Sequence, residues 1–201
     1  MNKPTVAIDI DDVLADSTDA LRLLVNTRTN SSLTKEDYMT SGEYWGYYER
    51  VWAEHGLSDR IKFSDFEKEM EADQSHVPLL PSAEFAIREL SKRYHVVLVT
   101  ARNIEWERAT KQWLKLHFGD GIDVYYTGHR RADDYKSKGQ ICKELGAVLM
   151  IDDNPGHCQA VMDEGVDAIL FGKYGWHEDI PKGVIQCKDW PAVLDYVNEI
   201  R

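Results

Sequence analysis

Five short runs along the chain are almost entirely apolar: TVAIDI at 5–10, HVVLVT at 95–100, IDVYYT at 122–127, AVLMID at 147–152 and DAILFG at 167–172. None alternates cleanly between apolar and polar positions, which is how strands covered on both faces of a parallel sheet read. Between them apolar residues recur three or four apart, and this spacing predicts helices over 82–93, 103–117, 138–146 and 156–164. Pro81 precedes the first of these, and a last helix over about 190–200 follows Asp189 as its N-cap. Strands alternating with helices of this length predict an α/β fold, a doubly wound parallel sheet in three layers with a Rossmann-like core.

The stretch 16–80 breaks the alternation. ALRLLVN reads as helix, YWGYYERVWAEH as an aromatic-rich helix, and FSDFEKEMEA as a third with Ser64 as its N-cap. So much helix between the first two strands exceeds one crossover, so it predicts a small helical cap at 16–80 inserted into a core of 1–15 and 81–201. VPLLPS at 77–82 has the composition of the hinge returning to the core.

Composition narrows the functions. The 201 residues are 43% hydrophobic and 29% charged, as in an ordinary globular protein, and the net charge of −11 argues against gripping a nucleic-acid polymer, which takes a basic surface. No run of about 20 apolar residues predicts a membrane span, and the N-terminal segment lacks a signal-peptide pattern, so a cytoplasmic location is expected. Cys142, Cys158 and Cys187 are odd in number and far apart, which predicts reduced thiols, the first two on helices, and no zinc site. Composition leaves monomer and homodimer equally open.

Candidate chemistry lies at the carboxyl ends of the predicted strands, where open parallel sheets bind ligands. The first ends in Asp9-Ile10-Asp11-Asp12, the second in Thr100-Ala101-Arg102 and the fourth in Asp152-Asp153-Asn154. Carboxylates gathered on one rim repel unless a cation joins them, and a hard divalent ion with oxygen ligands suits them. Calcium is disfavoured because the calcium-loop template fails: counted from Asp9, its glycine position holds Leu14 and its final glutamate position Ala20. Magnesium held by few carboxylates keeps positions open for a phosphate oxygen. Each cluster alone could be a polar turn or a helix cap; their shared rim favours phosphate chemistry.

VAIDIDDVLADS resembles the first motif, D-x-D-x-[TV], of the haloacid dehalogenase-like hydrolase superfamily; LVTAR resembles its second motif and VLMIDDN its acidic fourth. The resemblance covers 5–14 and 82–175. It implies an Mg2+-dependent phosphatase in which Asp9 is the nucleophile that becomes an aspartyl-phosphate. It further implies that Asp11 protonates the leaving oxygen and then activates water, with its backbone carbonyl on the metal. Asp9 and Asp152 would complete the metal site, with Asp153 on the ion or just behind it. Thr100, Ala101 and a third-motif lysine would hold the phosphoryl oxygens. Lys138 fits that lysine, although Lys136 and Lys143 leave the register open. Motifs and insert together look most like the 5'(3')-deoxyribonucleotidases and related bacterial and phage nucleotidases, which implies a small phosphorylated metabolite, a nucleoside monophosphate, as substrate.

Tyr44, Trp45, Tyr47, Tyr48 and Trp52 crowd one part of the insert. They could stack on a nucleobase, or Trp45, Tyr48 and Trp52, at helical spacing, could be the insert's own core, which leaves Tyr44 and Tyr47 to face substrate. Arg102 is a salt-bridge or substrate-phosphate residue rather than an acid or base, and the Trp176-His177 turn is a further candidate to face the site. His55, His76, His95, His117, His129 and His157 show no ligand spacing and read as surface or packing residues. Phosphatases of sugar phosphates, phosphoryl transfer to an alcohol, and an inactive binding module of the same fold are the competing functions. The last is disfavoured by the intact Asp9, Asp11, Thr100 and Asp152. A dinucleotide-dependent oxidoreductase is disfavoured because no G-x-G-x-x-G follows the first strand.

Overall fold

A computed structural model describes residues 3–128 and 133–199. The five apolar runs are strands β1 (Thr5–Ile8), β2 (His95–Thr100), β3 (Val124–Tyr126), β4 (Ala147–Asp152) and β5 (Asp167–Phe171). A sixth, β6 (Ile185–Cys187), was not anticipated; it is three residues long with an exposed Gln186 at the sheet edge, too short to carry a period. All pairings are parallel, in the order β3-β2-β1-β4-β5-β6.

Successive residues of the central strands point to opposite faces, and both faces are covered. On one side Val6, Ile8, Leu98 and Ile151 pack under α4 (Ala83–Arg93), α5 (Glu107–Phe118) and α8 (Trp190–Glu199). On the other, Ala7, Val97, Val99 and Met150 pack under α6 (Lys138–Glu144) and α7 (Pro155–Asp163). This makes the three layers. Helices α6 and α7 approach so closely that a Cβ at Gly139 would collide with the Ala160 carbonyl. Asp189 Oδ1 accepts from the Ala192 N–H at 2.9 Å, the expected cap of α8. The three cysteines are free and buried, Cys142 on α6, Cys158 on α7 and Cys187 on β6.

Between β1 and α4 the described residues form α1 (Ser17–Thr29), a 3-10 turn (Glu36–Met39), α2 (Tyr47–Glu54) and α3 (Phe63–Ala72), with no extended strand. The chain enters and leaves this insert side by side: Asp16 N–H bonds to Pro78 O at 2.9 Å and Leu80 N–H to Leu14 O at 2.8 Å. Two local expectations change. Helix α3 begins at Phe63, so Ser64 lies inside its first turn; the Asp65 carboxylate accepts from the Lys62 N–H at 3.0 Å instead. Helix α2 begins only at Tyr47 because Gly46 takes a left-handed φ of 72° that L-residues avoid. Trp45 therefore precedes the helix and is 65% exposed rather than sharing a buried face with Tyr48 and Trp52. No described helix is long and apolar enough to cross a membrane.

Candidate active site

The strand order reverses between β1 and β4, the place where such sheets leave a crevice. Asp9 leaves β1 there, its N–H still bonded to Ile151 O at 2.9 Å, and Asp152 is the last residue of β4. Lys138 opens α6, whose start is set by a reciprocal cap: Ser137 Oγ accepts from the Gln140 N–H, and Gln140 Oε1 accepts from the Ser137 N–H. That start aims the Lys138 ammonium between the two carboxylates, 2.8 Å from Asp9 Oδ1 and 2.7 Å from Asp152 Oδ2, with its side chain 1% exposed. Lys136 and Lys143 instead pair at the surface with Glu144 and Glu164.

Asp9, Asp152 and Asp153 offer oxygens that all lie within 4.8 Å of one another. One ammonium faces three buried carboxylates, and the imbalance appears in their acidities. Burial, partly offset by the charge of Lys138 and reinforced by Asp152 and Asp11, pushes Asp9 up to about 6. Burial and the charges of Asp152 and Asp9 push Asp153 well above the usual carboxylate range. Burial also works against ionised Asp152, but Lys138 and His157 outweigh it and hold Asp152 low. Lys138 is raised despite its burial by the same two carboxylates. Asp9 Oδ1 meets only the Lys138 ammonium, which Asp152 shares, so the buried negative charge exceeds the positive. Three buried carboxylates whose oxygens lie this close, with one ammonium between two of them, are an all-oxygen set with excess negative charge, which fits a hard divalent cation.

The remaining strand-end residues are tied differently. Arg102 grips Asp11 with two bonds, Nε to Oδ2 at 2.9 Å and Nη2 to Oδ1 at 2.7 Å, and Ser17 Oγ adds a third. Burial alone would raise Asp11, but the Arg102 charge and bonds, helped by Ser17, lower it. Arg102 thus forms a salt bridge, one of its two expected roles. Asp12 adopts φ 53° and bonds the Thr18 N–H and hydroxyl, which fastens the turn after β1 to α1. Thr100 is buried, its Oγ1 accepting from the Arg102 N–H at 3.1 Å, and Ala101 is exposed beside it.

A cavity of about 280 Å³ opens over Asp9, Asp11 and Asp153 and is roofed by Tyr44, Trp45, Tyr48, Phe63 and Phe66 of the insert. Trp45, Ala101, Asn103 and His157 also border a neighbouring cavity of about 380 Å³ that reaches Lys138 and Asn154. A larger cleft of about 540 Å³ lies at the amino end of the sheet beside Lys3 and His95 and holds none of these carboxylates. More than a third of Tyr44 is exposed, yet its hydroxyl is turned inward, where burial and the charges of Asp153 and Asp9 push it well above its usual range. Tyr47 is 2% exposed, its hydroxyl donating to backbone carbonyls of the insert and its ring meeting Trp176 at 5.1 Å.

The turn after β5 does reach the site. Trp176 Nε1 donates to Asp153 Oδ2 at 3.0 Å, and His177 Nε2 meets the Asp153 carbonyl at 2.6 Å. His157 was not anticipated: its Nδ1 lies 3.3 Å from Asp152 Oδ1. Asn154-Pro155 could have signalled it, because a helix starting there with Asn154 as N-cap places residue 157 back over residue 152. Gln74, bonded to Arg102, was also missed. His129 lies outside the described residues.

The six-stranded parallel sheet, with Asp9, Thr100, Lys138 and Asp152 on one rim, is a fold shared with haloacid dehalogenase-like proteins. Residues 3–195 match the family model described as "5' nucleotidase, deoxy (Pyrimidine), cytosolic type C protein", and the chain belongs to this family. Among solved structures, the fold is shared with a predicted phosphoglycolate phosphatase from Haemophilus somnus 129PT, at 15% identity over 98% of each chain and a TM-score of 0.64. A haloacid dehalogenase-like protein of unknown function from Agrobacterium tumefaciens matches at 14% over 99% of each chain, with a TM-score of 0.63. The D,D-heptose 1.7-bisphosphate phosphatase of B. bronchiseptica, solved with magnesium and phosphate, matches at 14% over 98% of this chain and 99% of its own, with a TM-score of 0.54. No curated protein matches the chain.

Proposed function

We propose that this phosphatase is magnesium-dependent and removes phosphate from (deoxy)nucleoside monophosphates through an aspartyl-phosphate on Asp9. The observation that carries the reading is the Asp9–Lys138–Asp152 arrangement at the switch point, open to a cavity. In the first half-reaction an Asp9 oxygen attacks phosphorus, the bond to the leaving oxygen breaks, and Asp11, which Arg102 keeps mostly ionised between turnovers, acts in its protonated form to give that oxygen a proton. In the second, Asp11 takes a proton from water as the water displaces phosphate from Asp9. Lys138, Thr100 and the backbone at Ala101 hold the phosphoryl oxygens and stabilise charge during transfer. Asp9, Asp152, Asp153 and the Asp11 carbonyl would hold Mg2+, which would neutralise phosphate charge and orient it for in-line displacement.

Residues 16–80 act as a cap whose Tyr44 and Trp45 select the leaving group, over a core of 1–15 and 81–201. The nucleotide assignment rests on the family and on these rings at the cavity wall, since a base stacks well on an aromatic face. A sugar-phosphate substrate is the competing reading, in line with the phosphatase relatives of the fold. Phosphate release from nucleoside monophosphates and sugar phosphates is the test. Nucleotides are expected to be preferred, with activity abolished by a chelator and restored better by magnesium than by calcium. Full activity in chelator would overturn the metal assignment, and a consistent preference for sugar phosphates the nucleotide one.

A further inference from the structure

Arg102 is the centre of a buried network that joins the insert to Asp11. Besides its two bonds to Asp11, its Nη1 donates to Gln74 Oε1 at 2.7 Å and to Thr110 Oγ1 at 3.1 Å, which occupies four of its five N–H groups. Gln74 follows α3 in the chain returning from the insert; its Nε2 bonds Met70 O at 2.8 Å and Thr110 Oγ1 at 3.2 Å. Gln74 is 1% exposed, Thr110 is fully buried and the Arg102 side chain is 1% exposed, whereas the Asp11 side chain is 34% exposed. The network therefore surfaces at one carboxylate, and that carboxylate faces the cavity over Asp9. A buried guanidinium is a poor source of stability, since an apolar side chain of like volume often serves as well.

We infer that Gln74 and Thr110 are positioning residues: they fix the plane of the Arg102 guanidinium, which in turn fixes the orientation of Asp11 for proton transfer to the leaving oxygen. Because Gln74 belongs to the return from the insert, the insert's placement also sets the orientation of Asp11. This inference rests on the proposed proton-handling role of Asp11. Thr110 holds the guanidinium from α5, so its loss should act on Asp11 just as loss of Gln74 does.

The experiment compares kcat/KM for an alkyl phosphate, a deoxynucleoside 5'-monophosphate, with that for nitrophenyl phosphate, whose leaving group needs no proton, in Gln74→Met, Thr110→Val and Asp11→Asn. A merely structural role would lower both substrates together. Positioning predicts a loss of about tenfold or more on the nucleotide in Gln74→Met and Thr110→Val, within the range general acids supply, and little change on nitrophenyl phosphate. Thermal melts identify a variant that fails to fold, and the other of the pair then carries the test. Equal losses on both substrates in the folded variants, or none, overturn the inference while a selective loss in Asp11→Asn leaves the proton-handling role standing. A non-selective loss in Asp11→Asn overturns both.

Discussion

Asp9→Asn is expected to abolish turnover and, in chelator, to make the protein more stable. Asp9 is 6% exposed beside Asp152 and Asp153, and its carboxyl is raised from 3.8 to about 6, first by burial. A folded value above the unfolded one means stability that is present in full below about pH 4 and is lost as pH rises to about 6, beyond which the cost is constant. At about 1.36 kcal/mol per unit, ionising Asp9 in the metal-free fold costs of the order of 3 kcal/mol. Asparagine keeps the shape, removes the charge, and leaves Lys138 paired with Asp152. For a chain of this length each kcal/mol moves Tm by about 2–4 °C, so the variant should melt roughly 6–12 °C above the wild type near neutrality. Melts across a pH series in chelator should show this gap close as pH falls from about 6 to about 4. Added magnesium should raise the wild type more than the variant and narrow the gap. A variant no more stable near neutrality, or a gap unchanged at low pH, would refute the electrostatic reasoning.

The lysines should separate sharply: Lys138→Met should cost about 100-fold or more in kcat, the scale of a lost charge stabiliser, whereas Lys136→Met and Lys143→Met, at exposed pairs, should leave kcat and Tm nearly unchanged. The reverse ranking would show that Lys138 is not the phosphate-binding lysine. Trp45→Ala should barely change Tm, since Trp45 is 65% exposed, but should lower kcat/KM for nucleotides by roughly ten- to a hundredfold, as about 1–3 kcal/mol of base stacking implies. An equal loss on sugar phosphates would count against stacking.

Much of the architecture was legible because each core strand is apolar throughout and each delivers its polar residues at one end, where topology gathers them. Asp9, Thr100 and Asp152 needed only that pattern. Lys138 required the exact start of α6, which the Ser137–Gln140 cap sets and residue spacing alone left ambiguous. Tyr47, expected to face substrate, is buried, and Trp45 is exposed rather than in the insert's core, one of the two readings left open for it, because one left-handed glycine moved the start of α2. Gln74 was out of reach: it meets Arg102 across 28 positions and Thr110 across 36, and nothing nearby in the chain marks a glutamine as the partner of a guanidinium.

The three buried thiols have a practical consequence. Cys142, Cys158 and Cys187 all belong to the α/β layers, and residues 16–80 contain none. Burial also pushes Cys142 up to about 12 and Cys187 to about 11, and raises Cys158 further, which leaves little of the thiolate that modifying reagents attack. In the native protein a thiol reagent thus reports opening of the sheet and is blind to any swing of the helices above it. A single cysteine placed on the exposed face of α2 could then be labelled in the wild-type background, with no native cysteine removed.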